Sequence, residues 1–344
     1  MLLVWGSLEY SACSHRLNNY FVNLMKFGTG MLELLGWDVS MSATKRFLFE
    51  HCFVSLGVQI SFGKTLSDAI TVSNKPGRIE SLERSIDNVK AVGTLGFREA
   101  LSIKGKVAYA EGQLFGRVAA PLCRFLSTWS SKGIDRPVTP ELLMLLDSSL
   151  EALSSARPRV VSCHEASKPV IVFIDGACEP EGTSIGAVLF CPGLQPEAFG
   201  AVLDDKTVSS WKSTVDQTQV IGQAEICPMI VARYTWAKHL RNRRVIYFID
   251  NDSARLACIK SYSPVISSLN LIMQGLLWDS KYESSAWFGR VPTASNPADD
   301  PSRMDSSLVK ELFGAKIVEP IFPPGVRASS ILTDTATKQT SLNF

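Results

Sequence analysis

The sequence has no long apolar run, no closely spaced cysteine pair and no large excess of charge of either sign. No stretch approaches the roughly 18 to 20 apolar residues that a membrane-spanning helix needs, and residues 1–10 lack the basic start and apolar core of a signal peptide. The eight cysteines include no CxxC or CxxxC pair, so neither a zinc site nor a disulfide scaffold is suggested. We therefore expect a soluble intracellular protein, without distinguishing nucleus from cytoplasm.

Length and composition indicate a folded chain of more than one domain. The chain has 344 residues, of which 46% are hydrophobic, enough to bury two or three cores. Its 35 Lys and Arg residues against 33 Asp and Glu residues give a net charge of only +2. Any nucleic-acid binding must therefore come from local basic clusters.

Four segments are predicted along the chain. Turn-forming residues mark boundaries at VSNKPGR, SSARPR and HEASKP. We predict an incomplete block of strands in 1–70, a mostly helical segment in 71–165, an α/β domain in 166–305 and a poorly ordered tail in 306–344. Thr139 is expected to cap the last helix of the second segment. The tail prediction rests on Ser, Thr and Pro with little apolar content.

Two strands of the α/β segment end in the same three residues, F-I-D. The segment reads β-β-β-α-β-α-β-α, and its strands PVIVFID and RVIYFID end at Asp175 and Asp250. Functional groups gather at the carboxyl ends of parallel strands, so the two aspartates should lie close together. Their repulsion would be relieved by a raised pKa or by a divalent cation such as Mg²⁺ or Mn²⁺. The alternative is that each aspartate merely ends a strand at a turn.

Acidic residues occur at two further positions where such a site needs them. Glu225 in GQAEI lies near the start of a helix between the apolar Ala224 and Ile226, which predicts that it packs near the sheet. The alternative is that Glu225 is only an acidic side chain near a helix N-terminus, where the helix dipole stabilises negative charge. Asp299 and Asp300 are adjacent in SNPADDPSR, where an aspartate beside a proline is either a helix cap or a metal ligand.

Taken together, FIDGA, GQAEI, FIDNDSA and WFGRVPTASNPADDPSR resemble the four acidic motifs of the ribonuclease H domain of retroelement reverse transcriptases. The last resembles the N-x-x-A-D-x-x-S-R signature of gypsy-like and DIRS-like elements, with five residues in register: Asn296, Ala298, Asp299, Ser302 and Arg303. That register makes Asp299 the fourth acid and leaves Asp300 to capping or local charge. The resemblance implies a ribonuclease H-like mixed five-stranded sheet with flanking helices.

The same resemblance implies two-metal hydrolysis of the RNA strand of RNA–DNA hybrids, with two Mg²⁺ or Mn²⁺ ions. It implies that Asp175 bridges both ions, that Glu225 and Asp250 hold the leaving-group side, and that Asp299 holds the side of the attacking water.

Nucleic-acid contacts are predicted at small or hydrogen-bonding residues after the strand-end acids and in the basic run KHLRNRR. These candidates are Gly176, Ala177, Asn251, Ser253, Lys238, Arg241, Arg243 and Arg244. Ordinary turn residues and a solvated helix end are the alternative interpretations.

Upstream, LLGWDVSMSATKRFLFEHCFVSLGVQIS resembles the end of a reverse transcriptase palm, and SIKGKVAYAEGQLFGRVAAPLCRFLS resembles the thumb. Residues 1–70 would then be a truncated palm, and 71–165 a thumb or connection-like segment. The polymerase motif aromatic-x-Asp-Asp is missing, because the only Asp-Asp pairs are 204–205 and 299–300. We expect no reverse transcriptase activity.

The expected partners are an RNA–DNA hybrid or other nucleic acid, with an intact reverse transcriptase as a further candidate and no membrane. A catalytically inactive relic that only binds nucleic acid is the alternative function. The four acidic motifs favour the enzyme, whereas the missing polymerase motif favours the relic.

Overall fold

The computed structural model describes residues 31, 52–62, 69–162, 168–180, 182–212 and 219–333. In chain order the strands are β1 (Cys52–Ser55), β2 (Val58–Phe62), β3 (Ala69–Asn74), β4 (Thr94–Leu95), β5 (Arg136–Pro137), β6 (Arg159–Ser162), β7 (Val170–Glu179), β8 (Gly182–Phe190), β9 (Glu197–Leu203), β10 (Arg244–Ile249), β11 (Ser285–Arg290), β12 (Lys316–Ile317) and β13 (Ala328–Ile331). The helices are α1 (Arg78–Val92), α2 (Phe97–Glu111), α3 (Ala120–Ser130), α4 (Pro140–Ser155), α5 (Asp205–Lys212), α6 (Ile221–Thr235), α7 (Ala237–Leu240), α8 (Asp252–Lys260), α9 (Ile266–Tyr282), α10 (Asp299–Ser302) and α11 (Ser307–Phe313), with a 3-10 turn at Thr293–Ser295.

The chain divides by its internal contacts into two units, Met1–Gly77 with Pro158–Ala166 and Arg78–Arg157 with Ser167–Phe344. Gly36, Trp37 and Lys45, in the stretch that resembles a reverse transcriptase palm, lie outside the described residues. The assignment of the first segment to a polymerase palm therefore stays a prediction. Of the helices in the described ranges, none is long and apolar enough to cross a bilayer.

The first unit contains an antiparallel sheet in the order β1-β2-β3-β6. Leu56 and Gly57, in the LGVQI stretch, have φ values of 50° and 77° and form the two-residue turn between β1 and β2, as primed hairpin turns require. Strands β3 and β6 lie at the two ends of the segment predicted to be mostly helical, where they pair with each other and extend this hairpin. Both strands are rich in the β-branched residues that favour pairing.

Helices α1 to α4 bury one apolar face each around a shared core. Thr139 caps α4 as predicted, since its hydroxyl oxygen accepts the amide of Leu142 at 3.2 Å. The thumb-like stretch is divided between two separate helices, α2 and α3. Gly116 in the connection has a φ of 94°, a backbone conformation that glycine adopts readily.

The helical and α/β parts of the second unit contact each other through α8 and α9. The hydroxyl of Ser280 donates to the carbonyl oxygen of Phe115 at 3.1 Å, and Arg117 donates to the carbonyl oxygen of Ile259 at 3.0 Å. Leu269 of α9 is buried in the core formed by the four helices. Two of the predicted segments therefore share one structural unit.

A mixed sheet forms the α/β part, in the order β11-β10-β7-β8-β9-β12, with β13 also paired to β9. Strands β7, β8 and β9 are antiparallel neighbours, whereas β10 is parallel to both β7 and β11. This arrangement confirms the predicted mixed sheet with flanking helices. The predicted count of five strands is too low, because β12 and β13 bring the total within the described residues to seven.

Those two additional strands lie in segment 306–344, which was expected to be poorly ordered. That expectation is wrong for residues 306–333. Helix α11 and strands β12 and β13 pack there, with Val309 and Leu332 fully or almost fully buried. The amide of Leu332 donates to the carbonyl oxygen of Gly200 at 2.8 Å. A few apolar side chains are enough for order because the exposed edge of β9 supplies backbone hydrogen-bond partners.

Two glycines allow α10 to lie directly on the sheet backbone. Asp175, Gly186 and Gly200 are aligned across β7, β8 and β9. A Cβ atom on Gly186 would lie 2.3 Å from the amide nitrogen of Ser302, and one on Gly200 would lie 2.2 Å from the carbonyl oxygen of Pro301. Helix α10 thus rests on these two glycines beside Asp175.

Substituting Gly186 tests this packing. Gly186→Ala should lower the free energy of unfolding by about 1–3 kcal/mol, because the added methyl group forces α10 away from the sheet. The matched control is Gly105→Ala on α2, where a Cβ meets nothing within 4 Å and helix propensity favours alanine by up to about 1 kcal/mol. Urea denaturation measures both changes; equal effects would refute the packing role.

Candidate metal centre

Three carboxylates from separate elements converge at the carboxyl ends of β7 and β10. Asp175 lies on β7, Glu225 on α6, and Asp250 directly after β10. One oxygen atom from each lies within 4.8 Å of those of the other two. The parallel pairing of Val172 with Tyr247 brings the two strands side by side. The sequence-based prediction that Asp175 and Asp250 lie close together is therefore confirmed.

Glu225 reaches this cluster because α6 approaches β7 closely. A Cβ atom on Gly176 would lie 2.3 Å from the carbonyl carbon of Ala224, so only glycine fits there. Glu225 is 6% exposed and its neighbour Ile226 is 1% exposed, which confirms the prediction that Glu225 packs against the sheet. Glu225 lies beyond the first turn of α6, so the helix-dipole alternative does not apply. Its carboxylate accepts hydrogen bonds from the Asn251 side chain and the Gly176 amide.

Two buried carboxylate oxygens of the cluster have no hydrogen-bond partner in the part of the chain that the structure describes. These are Oε2 of Glu225 and Oδ1 of Asp250. A buried polar atom without a partner is costly, and native structures seldom leave one unsatisfied. Closely spaced carboxylate oxygens are the ligands that Mg²⁺ and Mn²⁺ prefer. The donor set therefore fits a hard divalent cation.

Burial and mutual repulsion raise the pKa of two of these groups. Burial, together with the negative charges of Asp175 and Asp250, raises the pKa of Glu225 to about 8. Burial also raises the pKa of Asp175 to about 6, against the opposing hydrogen bond from Ser302. Asp175 and Glu225 are thus easier to protonate than ordinary carboxylic acids, which is the response expected of acids that lack a counter-cation.

Asp299 lies beside the three-carboxylate cluster rather than within it. The cluster of ligand atoms does not include it, although its charge raises the pKa of Asp175. Both of its carboxylate oxygens accept hydrogen bonds from Arg303, at 3.2 to 3.3 Å. The role of Asp299 as a fourth ligand stays a prediction.

The N-cap of α10 is Ala298, and Asp299 and Asp300 both occupy the first turn. The alternative in which either aspartate is the N-cap is therefore wrong. The backbone carbonyl oxygen of Asp300 accepts the amides of Arg303 and Asp305, each at 2.9 Å.

Two further residues of the last motif anchor α10 beside the cluster. The Ser302 hydroxyl donates to Oδ2 of Asp175 at 2.5 Å and lies 2.7 Å from the carbonyl oxygen of Asp299. Asn296 is buried, and its amide donates to the carbonyl oxygen of Ile174 at 3.1 Å. Both residues stood in the recognised signature but were not predicted as site residues.

Four of the predicted nucleic-acid contacts lie next to the cluster. Gly176 and Ala177 are buried in β7 and contribute packing rather than exposed surface. Asn251 caps α8, since its Oδ1 accepts the amide of Ala254 at 3.0 Å. Ser253 is exposed in the first turn of α8. Asn251 and Ser253 thus remain candidates for a contact with substrate.

The basic run is not brought to the carboxylates. Lys238 lies on α7, Arg241 and Arg243 in the following turn, and Arg244 at the start of β10. Asp250 follows the opposite end of that strand, about 20 Å away at a rise of about 3.3 Å per residue.

Other arginines lie nearer the cluster. Arg290 ends β11 and pairs with Asp252 at 2.8 Å. Arg303 contacts Asp299 and Glu179. Neither was predicted as a site residue.

Comparisons with known proteins found no matching protein-family model and no matching curated protein. Among solved structures, ribonuclease H1 from the halophilic archaeon Halobacterium salinarum NRC-1 is 13% identical with a TM-score of 0.30, over 39% of this chain and 94% of that chain. The foamy viral protease-reverse transcriptase in complex with an RNA/DNA hybrid is 16% identical with a TM-score of 0.32, over 80% of this chain and 33% of that chain. Its complex with dsDNA is also 16% identical, with a TM-score of 0.30, over 79% and 51%. The chain thus spans about a third to a half of the foamy viral chains to which it is similar.

Proposed function

We propose that residues 166–305 form a ribonuclease H domain that hydrolyses the RNA strand of RNA–DNA hybrids with Mg²⁺ or Mn²⁺. The observation that carries this proposal is the buried cluster of Asp175, Glu225 and Asp250, whose unpartnered oxygens suit a divalent cation. The four acidic motifs, in the order that retroelement ribonucleases H have, support the same reading. We also propose that the chain derives from a gypsy-like or DIRS-like element.

Each residue of the cluster has a distinct task in this proposal. Two bound cations would activate a water molecule for in-line attack on the phosphodiester and stabilise the leaving oxygen. Asp175, Glu225 and Asp250 would hold them, and Asp299 would complete the ligand set. The Ser302 hydroxyl orients the Asp175 carboxylate, and the Asn251 amide orients Glu225. Catalysis then depends on fixed geometry, which the helices packed on the sheet provide.

RNA would be distinguished from DNA by contacts to its 2′-hydroxyl groups. Asn251 and Ser253 lie directly after Asp250, so they are the proposed donors and acceptors for those hydroxyls. The run Lys238, Arg241, Arg243 and Arg244 would contact hybrid phosphates away from the point of cleavage, since phosphate contacts position a duplex without reading its sequence. Gly176 and Ala177 would support the site through the backbone of β7.

The chain is proposed to lack reverse transcriptase activity, because the aromatic-x-Asp-Asp motif is missing from its sequence. Polymerisation would then require an intact reverse transcriptase as a partner.

Cleavage of a labelled RNA–DNA hybrid in Mg²⁺ tests the proposed activity. Asp250→Asn should lower the rate by about 10²-fold or more, the loss typical of removing one preorganised electrostatic group. Asp147→Asn is the matched control, because Asp147 is an exposed aspartate on α4 that pairs with Lys90. Absence of cleavage by the parent chain, with binding of the hybrid retained, would favour the inactive relic instead.

The two adjacent aspartates of α10 should differ in their effect on cleavage. Asp299→Asn should lower the rate by about 10²-fold with little loss of stability, because its partly exposed carboxylate faces the cluster side of α10. Asp300→Asn should leave the rate within about a few-fold of the parent. Single-turnover cleavage and thermal melts of both variants measure these effects. A large loss for Asp300→Asn alone would shift the motif register by one residue.

Metal binding should strengthen with pH. The pKa values of about 6 for Asp175 and about 8 for Glu225 exceed those of ordinary carboxylic acids. A carboxyl group whose pKa is higher in the folded state than in the unfolded state stabilises the fold at low pH. This contribution to stability is lost as pH rises through the folded-state pKa. Without divalent ions, Tm should therefore fall from about pH 6 to about pH 8, and Mg²⁺ should raise Tm more at the higher pH.

Glu225→Gln removes the group with the higher pKa and should flatten this pH dependence in thermal melts. A Mg²⁺-induced shift in Tm that is the same at both pH values in the parent chain would contradict the assignment of protons to the cluster.

A further inference from the structure

Arg303 connects two acids at the rim of the cluster. It follows α10 directly, and its Nη2 lies 3.2 Å from Oδ1 of Asp299. Its Nε lies 3.3 Å from both oxygens of the same carboxylate, and its Nη1 pairs with Oε1 of Glu179 at the end of β7. One guanidinium therefore contacts both acids, and its single positive charge is shared between two negative ones.

This pairing distinguishes Asp299 from Glu225 and Asp250. Glu225 and Asp250 each have a buried oxygen without a partner in the described part of the chain, whereas both oxygens of Asp299 accept from Arg303. The amide of Arg303 also donates to the carbonyl oxygen of Asp299 at 3.2 Å, so the two residues share one helical turn. The charge that Asp299 could offer to a cation is therefore already compensated in part.

We infer that Arg303 is a positioning residue that competes with a divalent cation for Asp299 and releases this carboxylate when the cation binds. The inference rests on the proposed function, because it assigns to the same centre a means of regulating metal loading. In the absence of metal, Arg303 limits repulsion by holding the fourth negative charge aside from the cluster.

The geometry makes such an exchange feasible. The side chains of Arg303 and Asp299 are 45% and 30% exposed, and ion pairs with this much exposure are weak enough for a divalent ion to displace. Glu179 is 46% exposed and already contacts the guanidinium. Arg303 can therefore leave Asp299 while keeping one carboxylate partner, so that its release does not leave it unpaired.

Mn²⁺ binding to the full chain, followed by the electron paramagnetic resonance signal of free Mn²⁺, tests the inference without any turnover. Arg303→Gln should lower the Kd for Mn²⁺ by about three-fold, the size expected for removing a partly exposed ion pair that competes with the metal. Arg303→Lys keeps the charge but loses the forked contact, so it should lower Kd in the same direction by a smaller factor.

A double variant separates local competition from the general effect of removing a positive charge. In an Asp299→Asn background, Arg303→Gln should leave Kd unchanged, because the carboxylate that Arg303 withholds is gone. Glu179→Gln is the matched control: it removes the other acid partner and leaves Arg303 on Asp299, so it should not tighten binding.

Failure of the inference and failure of the proposed function give different results. If the parent chain binds no Mn²⁺, or if Asp250→Asn binds it equally well, the proposed metal centre is wrong. If the parent binds Mn²⁺ through Asp250 but Arg303→Gln binds equally or more weakly, only the role of Arg303 is overturned. The same holds if Arg303→Gln tightens binding equally with and without Asp299.

Discussion

Close backbone packing of two helices on one sheet is the constraint on which the carboxylate cluster depends. Gly176 admits the backbone of α6, and Gly186 with Gly200 admits α10. Larger residues at these positions would separate the helices from the sheet, and Glu225 and Ser302 would no longer reach the end of β7. Carboxylates from distant parts of the chain meet because these three positions carry no side chain.

Bringing acids together in this way has an electrostatic cost that the protein offsets only in part. The Ser302 hydroxyl, the Asn251 amide and the Gly176 amide each donate to a carboxylate of the cluster, and Arg303 compensates Asp299. Unpartnered oxygens and raised pKa values remain, so the negative charge of the cluster is not fully compensated by the described residues. Uncompensated negative charge of this kind is typical of sites where a bound cation supplies positive charge.

Local sequence patterns predicted much of the α/β fold and most of the cluster. Strands that end in F-I-D, and a glutamate between apolar residues, are signals that one stretch of chain carries by itself. The roles of Gly186 and Gly200 could not be predicted, because they depend on the pairing register of three strands and on a helix about 100 residues further along the chain. The added strands β12 and β13 were missed for a similar reason, since their order comes from the edge of β9. The distance of the basic run from the cluster, in contrast, follows from the direction of β10, which starts at Arg244 and leads to Asp250.

A crystal of the chain soaked in Mn²⁺ would show whether Asp175, Glu225 and Asp250 form a divalent metal centre. Anomalous scattering locates Mn²⁺ independently of any assay of activity. We expect an anomalous peak within coordination distance of oxygens from all three residues. Ordered carboxylates with no peak between them, at a Mn²⁺ concentration that occupies other surface sites, would contradict it.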